Sequence, residues 1–93
     1  MVVGICSIEI HIPESNSLKS KRQVLRRLKD RINNRFNVSI AEIGNNDLWQ
    51  RTTLGVAAIA NDGKFINQLL SQVIEQLNRE NGVVVMDYSM EIR

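Results

Sequence analysis

The sequence predicts an α+β sandwich in the order βαββαβ, the ferredoxin-like arrangement of an antiparallel four-stranded sheet with both helices on one face. Three observations predict it. Four stretches are β-rich or alternate apolar and polar residues, two carry their apolar residues on a helical period, and a Gly-Asn-Asn-Asp run suited to a hairpin divides the second β stretch from the third. The 93 residues make one domain, 1–93, with a small core that oligomerisation would help to stabilise.

The first strand spans residues 2–12, VVGICSIEIHI. Gly4, Cys6, Ile8, Ile10 and Ile12 share one face, with Val3, Ile5, Ser7, Glu9 and His11 on the other. Its first half is apolar on both faces, which suits a central place in a sheet, and Pro13 ends it by removing a backbone donor. Ser15, Asn16 or Ser17 supplies the oxygen that caps the first helix.

That helix, Ser17 to Arg35, is the most informative stretch. Leu18, Val24, Leu25, Leu28 and Ile32 form the side that faces a core. It also holds Lys19, Lys21, Arg22, Arg26, Arg27, Lys29, Arg31 and Arg35, eight of the chain's twelve Lys and Arg residues, beside a single acid, Asp30. The net charge is only +2, so the remainder of the chain is net acidic and the positive charge is concentrated here. Lys19, Arg22, Arg26 and Lys29 recur at i, i+3, i+7 and i+10, a row along one flank. Neighbouring like charges cost the helix roughly 0.2–0.5 kcal/mol per pair. Lys19, Lys21 and Arg22 also sit at the N-terminus, where the helix dipole disfavours cations. Stability alone does not account for that placement.

Residues 36–44, FNVSIAEIG, give the second strand, and 50–61, QRTTLGVAAIAN, the third. Asn61, Asp62 and Gly63 open the second helix, whose apolar side comprises Phe65, Ile66, Leu69, Leu70, Val73, Ile74 and Leu77. Arg79 near its end and Gly82 as a left-handed stop follow the ordinary rules of helix termini. Residues 83–92, VVVMDYSMEI, give the fourth strand. Two helices on one face leave the other face open, with Val3, Ile5, Ala57, Ile59 and Val85 expected on it beside Ser7, Glu9, Thr53 and Asp87. A face so apolar is expected to pair with a second copy, making a homodimer through the open sheet.

With these elements placed, the chain resembles the YlxP-like family of small bacterial domains of unknown function. The resemblance is carried by the first strand ending in HIP, SLKSKRQV at 17–24, FNVSIAE at 36–42 and DLWQR at 47–51, and covers essentially the whole chain. It implies a ferredoxin-like fold, a bacterial cytoplasm and genes found among those for translation and ribosome maturation. It implies no activity.

The row of Lys19, Arg22, Arg26 and Lys29, with Lys21 near its start, fits successive phosphates, so RNA or a ribosomal particle is the expected partner. The plainer alternative is a solvated face whose cations pair with acids such as Glu42 or Glu80. Trp49, flanked by Asp47 and Arg51, reads either as a stacking or anchoring residue for a partner or as a lid over one end of the core.

Catalysis has little support. Cys6 and His11 lie five apart on one strand and so on opposite faces. Glu9, Glu42, Asp47 and Asp87 show no pairing, and the first strand–helix loop lacks the Arg that an acylphosphatase needs. The sheet also lacks the stacked aromatics of an RNA-recognition motif. Cys6 has no cysteine partner, and no Cys/His cluster has metal-ligand spacing, so no metal or cofactor is expected and a reducing cytoplasm is. No apolar run reaches membrane length. The expectation is a non-enzymatic binding module for RNA or a ribosomal particle. The alternative is a dimeric interaction or regulatory module docking on an acidic protein or small anion.

Overall fold

A strand whose first half is apolar on both faces suits the centre of a sheet, with neighbours on both edges. Accordingly β1 (Val2–His11) is central, pairing with β3 (Arg51–Ala60) on one edge and β4 (Val84–Ile92) on the other. The computed structural model describes all 93 residues, adding α1 (Leu18–Arg35), β2 (Ser39–Gly44) and α2 (Gly63–Arg79). The sheet runs β2-β3-β1-β4 with each neighbouring pair antiparallel. This is the ferredoxin-like sandwich expected from the periodicities.

The core lies between the sheet and the helices. Cys6, Ile8, Ile10, Leu54, Val56 and Ala58 meet Leu25, Leu28 and Ile32 of α1 and Ile66, Leu70, Val73, Ile74 and Leu77 of α2. Each large aliphatic side chain so buried contributes about 1.5–3 kcal/mol. Helix α2 lies tightly on β1: a Cβ added at Gly4 would stand 2.2 Å from Ile66 Cγ2. Phe65, expected on this stripe, is instead exposed, because the buried side is centred on Ile66, Leu70 and Leu77.

The helix ends follow local chemistry. Ser17 caps α1, its hydroxyl accepting from the Ser20 N–H at 3.0 Å, and Asp62 caps α2, accepting from the Lys64 N–H at 3.0 Å. Phe36 closes α1 by donating its N–H to the Ile32 carbonyl at 2.8 Å, so β2 begins only at Ser39. Gly82 adopts φ +82°, the left-handed conformation that follows many helices.

Two irregularities set the open face. In β4, Asp87 pairs with Glu9 and Val85 with Ile10, so Met86 is an extra residue. The bulge reverses the alternation. Val85, expected on the open face, packs against the core instead, and Val84 stands opposite His11. In β2 the register shifts between Glu42 and Gly44 and brings Ile43 over Gly55, where an added Cβ would lie 2.9 Å from Ile43 Cγ2. Ile5, Ile43 and Ile59 are exposed there.

Candidate nucleic-acid interface

The helical period divides the cations of α1 into three groups. Lys21 lies on the core stripe with Leu25, Leu28 and Ile32, at i, i+4, i+7 and i+11, and all four are buried. Its stem crosses apolar surface and its ammonium ends on acceptors. Nζ lies 3.0 Å from Glu42 Oε2 and donates to the carbonyls of Asn45, Asn46 and Arg51 at 2.9, 3.1 and 3.3 Å. Glu42 also accepts from the Thr52 hydroxyl at 2.7 Å. The expectation that Lys21 belongs to the exposed row is corrected: its charge is neutralised inside the chain.

Arg27, Arg31 and Arg35, at i, i+4 and i+8, lie on the flank facing α2 and are also engaged. Arg27 donates to the Asn81 carbonyl at 2.9 Å, and Arg31 holds both oxygens of the buried Glu80 carboxylate, the nearer at 2.8 Å. Arg35 donates to Gln76 Oε1 and lies over the Phe36 ring.

The third group is Lys19, Arg22, Arg26 and Lys29, on the flank turned away from α2. None of the four makes an ion pair; the chain's three ion pairs are Lys21–Glu42, Arg31–Glu80 and Glu91–Arg93. Glu42 and Glu80, the acids set against this row in the plainer reading, are committed to Lys21 and Arg31. Lys19, Arg22 and Arg26 are exposed, Lys29 partly so, and Lys19, Arg22, Gln23 and Arg26 line an open depression. Over ten residues the row extends about 15 Å along the helix.

At the same end of the molecule is the β2–β3 loop. Trp49 is 56% exposed and Leu48 48%, so Trp49 is no lid on the core. The loop is nonetheless fixed. Besides the three bonds from Lys21, Asn45 adopts φ 59° and donates its amide to the Thr53 hydroxyl at 3.0 Å and to Glu9 Oε2 at 3.3 Å. The Gln50 amide donates to the carbonyls of Pro13 and Ser15 at 3.1 and 3.2 Å, and the Ile12 N–H to the Gln50 carbonyl at 2.8 Å. Arg51 is exposed at the start of β3, opposite His11.

Cys6 is buried on the helix side of the sheet, and burial pushes its thiol up. His11 lies on the opposite side, with Nδ1 3.0 Å from the Gln50 carbonyl. No group of three or more His, Cys, Asp or Glu residues is arranged to hold a metal ion, and no helix is long and apolar enough to cross a membrane.

Comparison with known proteins decides the kinship. Residues 3–90 match the family described as "Protein of unknown function (DUF503)". This chain belongs to that family. The uncharacterized protein YlxP of Bacillus subtilis (strain 168) is 42% identical over 73 residues, which is 78% of this chain and 79% of that protein. Neither description assigns an activity to the DUF503 domain, so its chemistry rests on its side chains.

Three features of this DUF503 domain escape sequence reasoning centred on the charge run. Lys21 is structural, Gln23 belongs with the free cations, and Leu48 is exposed beside Trp49. The spacing of Lys21 to Leu25, Leu28 and Ile32 is a readable signal for the first.

Proposed function

We propose that this domain is a non-enzymatic binding module that contacts RNA, free or within a ribosomal particle, through the outer flank of α1, and that it acts in the cytoplasm. One observation carries the reading: on a helix whose other cations are satisfied within the fold, Lys19, Arg22, Arg26 and Lys29 make no ion pair. A row of free charges on a fixed helix fits a polyanion, because each phosphate neutralised releases a condensed counterion. The test is ribosome co-sedimentation and RNA binding at low salt, comparing wild type with Arg22→Glu/Arg26→Glu. Weakened association with unchanged folding supports the proposal, and unchanged association refutes it.

A second reading concerns the open sheet. Ile5, Ile43 and Ile59, which are 36%, 59% and 63% exposed, stand on a face flattened by Ala41, Gly55 and Ala57. We propose that this face pairs with a second copy of the chain. Light scattering of wild type against Ile59→Lys tests it: a dimer that becomes monomeric supports the pairing, and a monomeric wild type rules it out.

A further inference from the structure

We infer that the free cations of α1 and the indole of Trp49 form one surface for single-stranded RNA, the row holding the backbone while the indole stacks on an unpaired base. The inference rests on the RNA reading of α1 and adds to it the class of RNA and the part played by the hairpin.

The two features are physically coupled. Lys21 stands between Lys19 and Arg22, and its ammonium holds the carbonyls of Asn45 and Asn46 before Trp49 and of Arg51 after it. Trp49 is therefore suspended from the turn of α1 that presents two of the free cations. The buried lysine acts as a positioning residue for both parts of the surface.

Exposure of the indole does not come from a loose loop. Bonds from Lys21, Asn45, Gln50 and Ile12 fix the chain on both sides of it. An aromatic ring presented on a pre-ordered loop loses little conformational freedom on binding. Asp47, Leu48, Trp49, Gln50 and Arg51 line an open depression at this tip, to which the exposed Arg51 contributes a cation and Asp47 an acid.

Single-stranded RNA fits this pairing better than duplex. In an A-form helix the bases are stacked on one another, the major groove is too deep and narrow for side chains to read, and one indole finds no free base face. An unpaired base offers its π-face to any aromatic ring, and stacking of this kind tolerates all four bases. Strong affinity for single strands with little sequence preference is the expected behaviour.

Trp49 is the only tryptophan in the chain, so its fluorescence reports directly on the contact. The full chain is titrated at low salt with a short single-stranded oligoribonucleotide of mixed sequence and, separately, with the same sequence as a blunt duplex. The expected result is quenching of the indole by the single strand, with tighter binding than to the duplex. Binding measured by anisotropy of a labelled oligonucleotide should weaken about 5- to 100-fold in Trp49→Ala. Trp49→Phe should recover most of the loss. Equal affinity for single strand and duplex, or undiminished binding by Trp49→Ala, overturns the inference. If Arg22→Glu/Arg26→Glu still abolishes binding in that case, the RNA reading of α1 stands without it. Failure of the wild type to bind either RNA overturns both. Thermal midpoints of all variants separate lost contact from lost fold.

Discussion

The Lys21 ammonium lies 3.0 Å from the Glu42 carboxylate, with the lysine side chain 1% exposed and the glutamate side chain 17%. A core position that an aliphatic residue would ordinarily fill is thus given to a cation that ties α1 to the β2–β3 hairpin. Burying an ammonium costs several kcal/mol, which is offset only when its donors are satisfied. Here Glu42 and three carbonyls satisfy them.

Lys21→Met should therefore destabilise the domain by about 3 kcal/mol, the lower end for breaking a buried pair, because Glu42 keeps the Thr52 hydroxyl and some access to water. Glu42→Gln should cost less, since its amide oxygen still accepts from Nζ. Urea denaturation of the two variants measures the difference, and equal losses would show that the charge of Glu42 matters more than its geometry.

The two cationic flanks of α1 should respond differently to truncation. Arg31→Ala strands the carboxylate of Glu80, whose side chain is 5% exposed, and should cost about 1–2 kcal/mol; the 57% exposure of Arg31 keeps the figure low. Arg22→Ala and Arg26→Ala remove free charges from a like-charged row and should leave stability within about 0.5 kcal/mol of wild type. Thermal denaturation of the three variants checks the contrast.

Gly4 is required by the approach of α2. A Cβ there would lie 2.2 Å from Ile66 Cγ2 and 2.9 Å from Leu70 Cδ1, both in the core, so Gly4→Ala forces the helix off the sheet or its side chains from their rotamers. Overpacking of this kind costs about 1–3 kcal/mol. Gly55→Ala also meets a side chain, but Ile43 is exposed and free to turn away, so its cost should be smaller. Chemical denaturation of the pair tests the ranking.

What could be read from the sequence was local. The strand alternation of β1, a first-helix cap among Ser15, Asn16 and Ser17, a second helix opening at Asn61 to Gly63 and the left-handed Gly82 depend on residues a few positions apart, and the structure settles the caps on Ser17 and Asp62. The misplacements have long-range causes. Val85 lies on the core side because of the bulge at Met86, and since Val83 to Met86 are all apolar nothing in the alternation marks that bulge. The i, i+4, i+7 and i+11 spacing places Lys21 on the core stripe, but what neutralises its charge is not legible locally, because its acceptors come from residues 42–51. The separation of Arg27, Arg31 and Arg35 from Lys19, Arg22, Arg26 and Lys29 depends on α2, whose position a charge count does not reveal.

Cys6 should be chemically silent in the folded state. The residue is 1% exposed and burial pushes its ionisation above the ordinary value of 9.0. The unfolded chain releases this proton at the ordinary value and the folded chain only at higher pH. The thiol's effect on stability is therefore flat below that value, and stability falls as pH rises through it. Maleimide labelling should be slow in buffer and fast in denaturant, and alkaline destabilisation should be reduced in Cys6→Ala. Rapid labelling of the native protein would contradict this burial.

Engagement of RNA by the outer flank of α1 has a quantitative signature. Four phosphates neutralised by Lys19, Arg22, Arg26 and Lys29 on a single strand give a slope of log K against log salt of roughly −3. Truncating one cation removes one phosphate contact, so Arg22→Ala or Arg26→Ala should each make the slope shallower by about 0.7. Arg31→Ala should leave it unchanged, because that guanidinium is held by Glu80. Trp49→Ala should lower affinity at every salt concentration without altering the slope, since stacking releases no counterions. A slope that shifts equally with Arg31 and with Arg22 would mean that net charge alone, and not the outer flank, attracts the RNA.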